Sequence, residues 1–211
     1  MKPLLVALLA LFSLAAAAGG SAAKRVTLWN GTDLTGWKLH LGDATTDPKS
    51  VWSVREGALR FATKVSGYLR TEKAYSNYRL HVEWRWPKDA NANSNSGVML
   101  HLHGDDAIWP KSFEVQLKNA NAGQVVGMGL DIPDAPMLSN RKRAPRFADA
   151  SEKPLGEWNS CEIVCRDATI EVHVNGVKQN RVDKLPASAG TIALQMEGYA
   201  IEFRNVWLEA L

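Results

Sequence analysis

The side chains best suited to proton transfer lie in two strand-like segments, residues 97–103 and 113–118. Each segment alternates apolar with polar residues, which is the pattern of a β-strand with one face in a core. The polar positions carry two imidazoles, a carboxylate, an amide and an amine: His101, His103, Glu114, Gln116 and Lys118. Such groups take up and release protons and hydrogen-bond polar ligands. We therefore predict that this face is the active surface.

Other strands are expected to add polar residues to the same face. Segment 77–86 alternates large apolar residues with charged ones, including Glu83, and segment 191–197 ends with Gln195 and Glu197. Trp109 lies in the loop between the two central segments, where its ring is placed to stack on a ligand. The alternative interpretation is a merely solvated face, because antiparallel sheets commonly keep one polar face in water.

The elements that must position these residues are short strands. Strand-like runs occupy residues 26–39, 52–61, 67–71, 77–86, 159–166, 169–174, 177–180, 191–197 and 200–208. Turns containing Gly or Asn separate them, and no stretch after residue 23 shows a helical period. This pattern predicts an antiparallel β-sandwich of jelly-roll type.

One long segment, residues 119–154, lacks strict alternation and is rich in Gly and Pro. Connections of this length in a compact domain are more often functional than idle. Its basic run Arg141-Lys142-Arg143, with Arg146 nearby, is interpreted as a solvated loop.

The first 23 residues have the features of a secretory signal peptide: Lys2, an apolar run to about Ala18, and small residues up to Ala23. No Cys follows the apolar run, so a lipoprotein anchor is not expected. Removal of this segment would leave roughly 190 residues, the size of one domain. We predict a single domain at residues 24–211 in a periplasmic or secreted protein without a membrane anchor.

The charge balance argues against a nucleic-acid-binding protein. The whole chain has a net charge of +3, which is too balanced for a typical nucleic-acid-binding protein.

The two cysteines, Cys161 and Cys165, are four residues apart in a strand-like run. Four residues of strand span about 13 Å, beyond the roughly 7 Å that a disulfide bridges. We predict two buried, unbonded thiols.

The mature sequence resembles the 3-keto-disaccharide hydrolase domain family. The resemblance is carried in order by Leu28-Trp29-Asn30-Gly31, Gly36-Trp37, Asn95-Ser96-Gly97, Phe113-Glu114-Val115-Gln116-Leu117, Gly156-Glu157-Trp158-Asn159, Val174-Asn175-Gly176, Leu194-Gln195-Met196-Glu197-Gly198 and Glu202-Phe203-Arg204-Asn205. It implies a concanavalin A-like jelly roll that acts on glycosides already oxidised at C3. At strand ends, Asn95, Trp158, Asn159, Arg204 and Asn205 are expected to have structural roles.

A ketone at C3 acidifies the proton on C2, so one base, one stabiliser of the enolate and one acid suffice to expel the group on C1. With this chemistry implied, we predict Glu114 as the base, with Glu197 and His101 also catalytic. The expected substrate-binding residues are Gln116, His103, Lys118, Trp109, Glu83 and Gln195. His101 and His103 with a Glu would also suit a divalent metal ion.

Two other functions are also compatible with the sequence. A non-catalytic carbohydrate-binding module is one, because the implied fold hosts both classes. A conventional glycoside hydrolase is the other, and it needs two carboxyl groups flanking the bond. The strand of Glu114 offers Gln116 and Lys118 at its next two polar positions, so Glu83 or Glu197 would have to supply the second carboxyl group.

Overall fold

A computed structural model describes residues 24–62, 64–186 and 189–211, so the predicted signal peptide lies outside the described residues. Within them the chain forms sixteen strands and a 3₁₀ turn at Pro48–Ser50. In chain order the strands are β1 (Arg25–Thr27), β2 (Trp37–Leu41), β3 (Trp52–Arg55), β4 (Ala58–Phe61), β5 (Ser66–Thr71), β6 (Tyr78–Arg85), β7 (Gly97–His103), β8 (Lys111–Gln116), β9 (Val125–Met128), β10 (Met137–Leu138), β11 (Arg141–Ala144), β12 (Asn159–Arg166), β13 (Thr169–Val174), β14 (Val177–Val182), β15 (Thr191–Glu197) and β16 (Ile201–Ala210).

The strands form two sheets of eight. The first sheet has the order β14-β13-β12-β6-β16-β4-β3, with β1 also paired to β16. The second has the order β10-β11-β9-β8-β7-β15-β5-β2. The strand pairings that define both sheets are antiparallel, so the predicted antiparallel β-sandwich is confirmed. None of the described residues belongs to an apolar helix of the length that a bilayer span requires.

The inward faces of the two sheets form the main core. Leu80, Val82 and Trp84 of β6 meet residues of the second sheet such as Phe113 and Val115 of β8, and all five are fully buried. Burial of apolar surface at roughly 25 cal/mol per Å² is the main force that holds the sheets together. The two-residue alternation of β6 and β8 is what places these side chains inside.

Both cysteines lie on the inward face of β12. Cys161 and Cys165 are buried in the main core and unbonded, as predicted. Burial raises the pKa of each thiol well above its usual range, so neither is a reactive thiolate.

The basic run of the long segment 119–154 is a strand and not the solvated loop predicted for it. Arg141–Ala144 forms β11, which pairs with β9 and extends the second sheet. Ser139 and Asn140 have φ angles of 49° and 63° and make the two-residue turn between β10 and β11. Two consecutive residues with positive φ are the conformation of the tight hairpin turn that matches the twist of a sheet.

The register of the second sheet aligns one row of residues across five strands. Arg143 lies opposite Val126, Val126 opposite Glu114, Glu114 opposite Met99, and Met99 opposite Ala193. Directly opposed residues point to the same face of a sheet. The whole row therefore lies on the face turned away from the main core, which we call the outward face.

Candidate active site

Glu114 and Gln116 occupy the outward face at the centre of the second sheet. Their neighbours Phe113, Val115 and Leu117 point into the main core, as the alternation of β8 requires. Although the two side chains leave the core, they are only 2% and 6% exposed. The predicted polar face is thus a covered site and not a solvated surface.

A glycine on the neighbouring strand provides the space for the Glu114 side chain. A Cβ atom on Gly97 would lie 2.7 Å from Cγ of Glu114 and 2.8 Å from its Oε1. Contacts this short are not tolerated in packed proteins. Gly97 is therefore required so that the carboxyl group can lie against β7.

A chain of amide groups links the two carboxyl groups of the site. The Gln116 amide nitrogen, in the orientation that its neighbours dictate, donates to Glu114 Oε1 at 3.1 Å, to Asn95 Oδ1 at 2.8 Å and to the Ser96 carbonyl at 2.8 Å. The Asn95 amide nitrogen in turn donates to Glu197. The predicted residues Glu114, Gln116 and Glu197 are thus brought together, with Asn95 between them. Asn95, for which a structural role was predicted, thus also contacts the site through its side chain.

The surroundings raise the pKa of both carboxyl groups. Burial, and secondarily the charge of Glu197, raises the pKa of Glu114 from 4.5 to about 8. Burial also raises the pKa of Glu197, although the hydrogen bond from Asn95 opposes that shift. Burial thus favours the protonated form of both carboxyl groups, and the charge of Glu197 adds to this effect at Glu114. Such a pair is suited to exchanging protons with a substrate.

Two arginines complete the electrostatics of the site. Arg141 and Arg143 share the outward face of β11, and their charges act against the raised pKa values of both Glu114 and Glu197. Lys142 between them points to the opposite face, where its Nζ donates to the Ala135 carbonyl at 2.9 Å. The two-residue spacing of Arg141 and Arg143 is the sequence signal that could have placed both on one face of a strand. It is hard to recognise because Lys142 lies between them in the same basic run.

The loop between β7 and β8 covers one side of the outward face. Asp106 accepts hydrogen bonds from the Tyr68 hydroxyl at 2.8 Å and from Arg70 Nε at 2.9 Å, which ties the loop to β5. Trp109 further along the loop is 42% exposed, and the Arg141 guanidinium lies 5.1 Å from its ring centroid. The predicted Trp109 therefore adjoins the site through Arg141.

Below this loop the outward face carries a second, small apolar cluster of Tyr68, Met99, Leu102 and Ala193. Gln195 lies beside it at the site. Its amide is close enough to lower the pKa of Glu197, but neither of its polar atoms makes a hydrogen bond of normal geometry with the described residues. An unsatisfied buried amide costs free energy. Gln195 thus places buried polar atoms beside Glu197.

The prediction that His101 shares the outward face is wrong. β7 has an irregularity between Leu100 and His103, where His101 adopts a φ of 54°. The extra residue reverses the alternation, so that the imidazole turns into the main core, with its ring edge-on to Tyr78 at 5.8 Å between centroids. Leu102 takes the outward position instead.

The two histidines considered as ligands of a divalent metal ion do not converge. His103 is exposed at the end of β7, and its Nδ1 lies 2.8 Å from the His101 carbonyl oxygen, while the His101 ring is in the core. Among the residues that the structure describes, no group of three His, Cys, Asp or Glu side chains has a metal-binding arrangement.

Two further predicted binding residues lie away from Glu114. Glu83 belongs to β6 in the first sheet, where it accepts hydrogen bonds from Arg204 at 2.6 Å and Asn205 at 2.9 Å, so its placement on the face of Glu114 is wrong. Lys118 is half-buried two residues past the end of β8. Its side chain makes no hydrogen bond or ion pair within the described ranges.

Comparison with known proteins places the chain in a family. Residues 24–209 match the family described as the 3-keto-alpha-glucoside-1,2-lyase-like domain. No curated protein matches the chain.

Solved structures with the same fold cover most of the chain. A candidate glycosyl hydrolase from Parabacteroides distasonis ATCC 8503 superposes with a TM-score of 0.65 at 22% identity, covering 89% of this chain and 100% of that one. The Bacillus licheniformis beta-glucanase gives 0.61 at 12% identity, covering 90% and 99%. The carbohydrate-binding module CBM66 from Bacillus subtilis gives 0.58 at 10% identity, covering 83% and 96%. These likenesses show the concanavalin A-like jelly roll, and with the match over residues 24–209 we conclude that the chain belongs to the 3-keto-alpha-glucoside-1,2-lyase-like, or 3-keto-disaccharide hydrolase, family.

Proposed function

We propose that the protein cleaves the glycosidic bond of 3-keto-glycosides by elimination followed by hydration. The observation that carries the proposal is Glu114, a buried carboxyl group with a pKa of about 8 that Gln116 holds in place. Membership of the family supports the choice of oxidised glycosides. The predicted signal peptide, residues 1–23, would place this activity in the periplasm or outside the cell.

Glu114 is the base in this proposal. The C2 proton is acidified by the C3 ketone but is still far less acidic than a carboxylic acid. A base with a pKa near the working pH combines a useful ionised fraction with a greater driving force for proton transfer. The pKa of Glu114 meets this condition, whereas an exposed carboxylate would be ionised but weakly basic.

Arg141 and Arg143 then stabilise the enolate. Removal of the C2 proton places negative charge on the C3 oxygen, and fixed cations are effective stabilisers of such charge in a site that excludes water. The electron pair returns to form the C1–C2 double bond as the C1–O bond breaks. Glu197, whose pKa is also raised, gives its proton to the departing oxygen. Water then adds at C1 while C2 regains a proton, which yields the 3-keto-hexose.

The direct test is incubation of the purified protein with 3-keto-trehalose and 3-keto-sucrose, with and without added divalent cation, and measurement of released hexose. We expect turnover, with kcat/KM rising with pH as Glu114 loses its proton near pH 8. If neither ketone is turned over under any of these conditions, the result would contradict the proposal.

A conventional glycoside hydrolase is the second candidate. It is favoured by the convergence of two carboxyl groups, Glu114 and Glu197, joined through Gln116 and Asn95. Cleavage of unoxidised β-glucans would support it, because displacement at C1 needs no ketone. Binding of an unoxidised glycan with no turnover of any substrate would instead identify a binding module.

A further inference from the structure

The β10–β11 hairpin carries an exposed leucine beside the site arginines. Leu138 lies directly opposite Arg141, and Arg141 shares a face of β11 with Arg143. Alternation along the strand and pairing across it therefore place Leu138 on the outward face, the face of Glu114. Leu138 is 50% exposed, and Met137 beside it is 61% exposed but points to the opposite face.

Trp109 joins this leucine through Arg141. The Arg141 guanidinium lies over the Trp109 ring, and much of the ring remains open to solvent. We call Trp109, Arg141 and Leu138 together the rim surface. It adjoins the row of residues that contains Glu114. Trp109 and Leu138 are exposed and Arg141 is half-buried, whereas Glu114 is buried.

We propose that the rim surface binds the aglycone of the substrate and that this aglycone is a flat apolar group, as in an aryl glycoside. The inference rests on the proposed function. If Glu114 removes the proton on C2, the keto sugar occupies the buried part of the site. Its C1 substituent then extends toward the exposed part, and the rim surface is the exposed region next to the site arginines.

The chemistry of the rim surface selects the class of aglycone. An aromatic ring stacks on Trp109 and buries apolar area against Leu138 as well. A second sugar would present a hydroxyl to Leu138, which offers no hydrogen bond in return. When the C1–O bond breaks, both of its electrons stay on the aglycone oxygen. The charge of Arg141 stabilises the negative charge that builds up on this phenolic oxygen until the proton of Glu197 reaches it.

Binding to the full chain carrying Glu114→Gln separates recognition from turnover. The probes are phenyl 3-keto-α-glucoside and 3-keto-trehalose, measured by calorimetry. We expect the phenyl glycoside to bind at least about tenfold more tightly, which is the difference that burial of part of an aromatic ring provides. Adding Leu138→Ser should remove most of this preference, whereas the matched change Met137→Ser on the opposite face should retain it.

Equal affinities for the two probes, or a preference that survives Leu138→Ser, would overturn the aryl assignment. Turnover of either ketone by the unmodified chain would still support the proposed function in that case. If neither ketone is turned over, the proposed function fails, and the role of the rim surface as an aglycone site fails with it.

Discussion

Replacement of Glu114 by Gln is expected to lower turnover of 3-keto-glycosides roughly 10² to 10⁴-fold, because it removes the base but keeps the shape of the side chain. The same change is expected to stabilise the fold. The pKa of Glu114 is raised by burial from 4.5 to about 8, so folding favours its protonated form. The wild-type protein therefore loses stability as the pH rises from 4.5 through 8, and the Gln variant avoids that loss.

The expected size of the stabilisation follows from the pKa. At about 1.4 kcal/mol per pKa unit, the variant should gain roughly 3 to 5 kcal/mol of unfolding free energy at pH 8, and little near pH 4.5. Chemical denaturation across this pH range measures the difference. Such a gain in stability is expected where a residue that is needed for activity destabilises the fold.

Glu83→Gln is the matched control for this variant. Glu83 lies in the first sheet, and its pKa is lowered: burial alone would raise it, but hydrogen bonds from Asn205 and Arg204 outweigh burial. The control should keep its turnover and gain no stability with rising pH. If Glu114→Gln retains turnover, the base is misassigned. If it also fails to gain stability with rising pH, the carboxyl group does not have the raised pKa described above.

Acid is expected to destabilise the protein through His101, and His101→Asn should reduce this effect. Burial lowers the pKa of His101 from 6.5 to about 4, with a further contribution from the charge of His103. As the pH falls from 6.5 to 4, His101 binds a proton in the unfolded chain but not in the folded chain. Stability that is present above pH 6.5 is thus lost on acidification, by roughly 2 to 3 kcal/mol.

Asparagine suits this test because it tolerates the positive φ of His101 and does not titrate. The variant should be less stable near neutrality, since it fills less of the core. Its free energy of unfolding should nevertheless fall less steeply than that of the wild type between pH 6.5 and 4. His173→Asn, on a half-buried position of β13, is the control. An unchanged slope for His101→Asn would contradict the account of His101.

Alternation, together with the Gly and Asn turns, sufficed to predict the sandwich, and alternation placed Glu114 and Gln116 on the face away from the core. It also identified Glu197 and Gln195, because each lies in a regular strand. It failed for His101, because one irregular residue in a strand reverses the face of every side chain beyond it. No local pattern announces that irregularity.

The sequence alone did not predict which strands belong to the same sheet. Glu83 has the same alternating context as Glu114, but the two strands belong to opposite sheets. Arg141 and Arg143 were missed because their strand is short and lies in a segment rich in Gly and Pro. Their role depends on a pairing with β9 that is set by tertiary contacts and not by local propensity.

In the proposed reaction, cleavage begins with removal of the C2 proton. The measurement that tests it most directly compares 3-keto-trehalose with the same compound carrying deuterium at C2, in ordinary water, with the free product as a control for spontaneous exchange. We predict slower turnover of the deuterated compound and loss of the label from the released 3-keto-glucose. Equal rates with the label retained at C2 would contradict the account, because the bond at C1 would then break without any role for Glu114 as a base at C2.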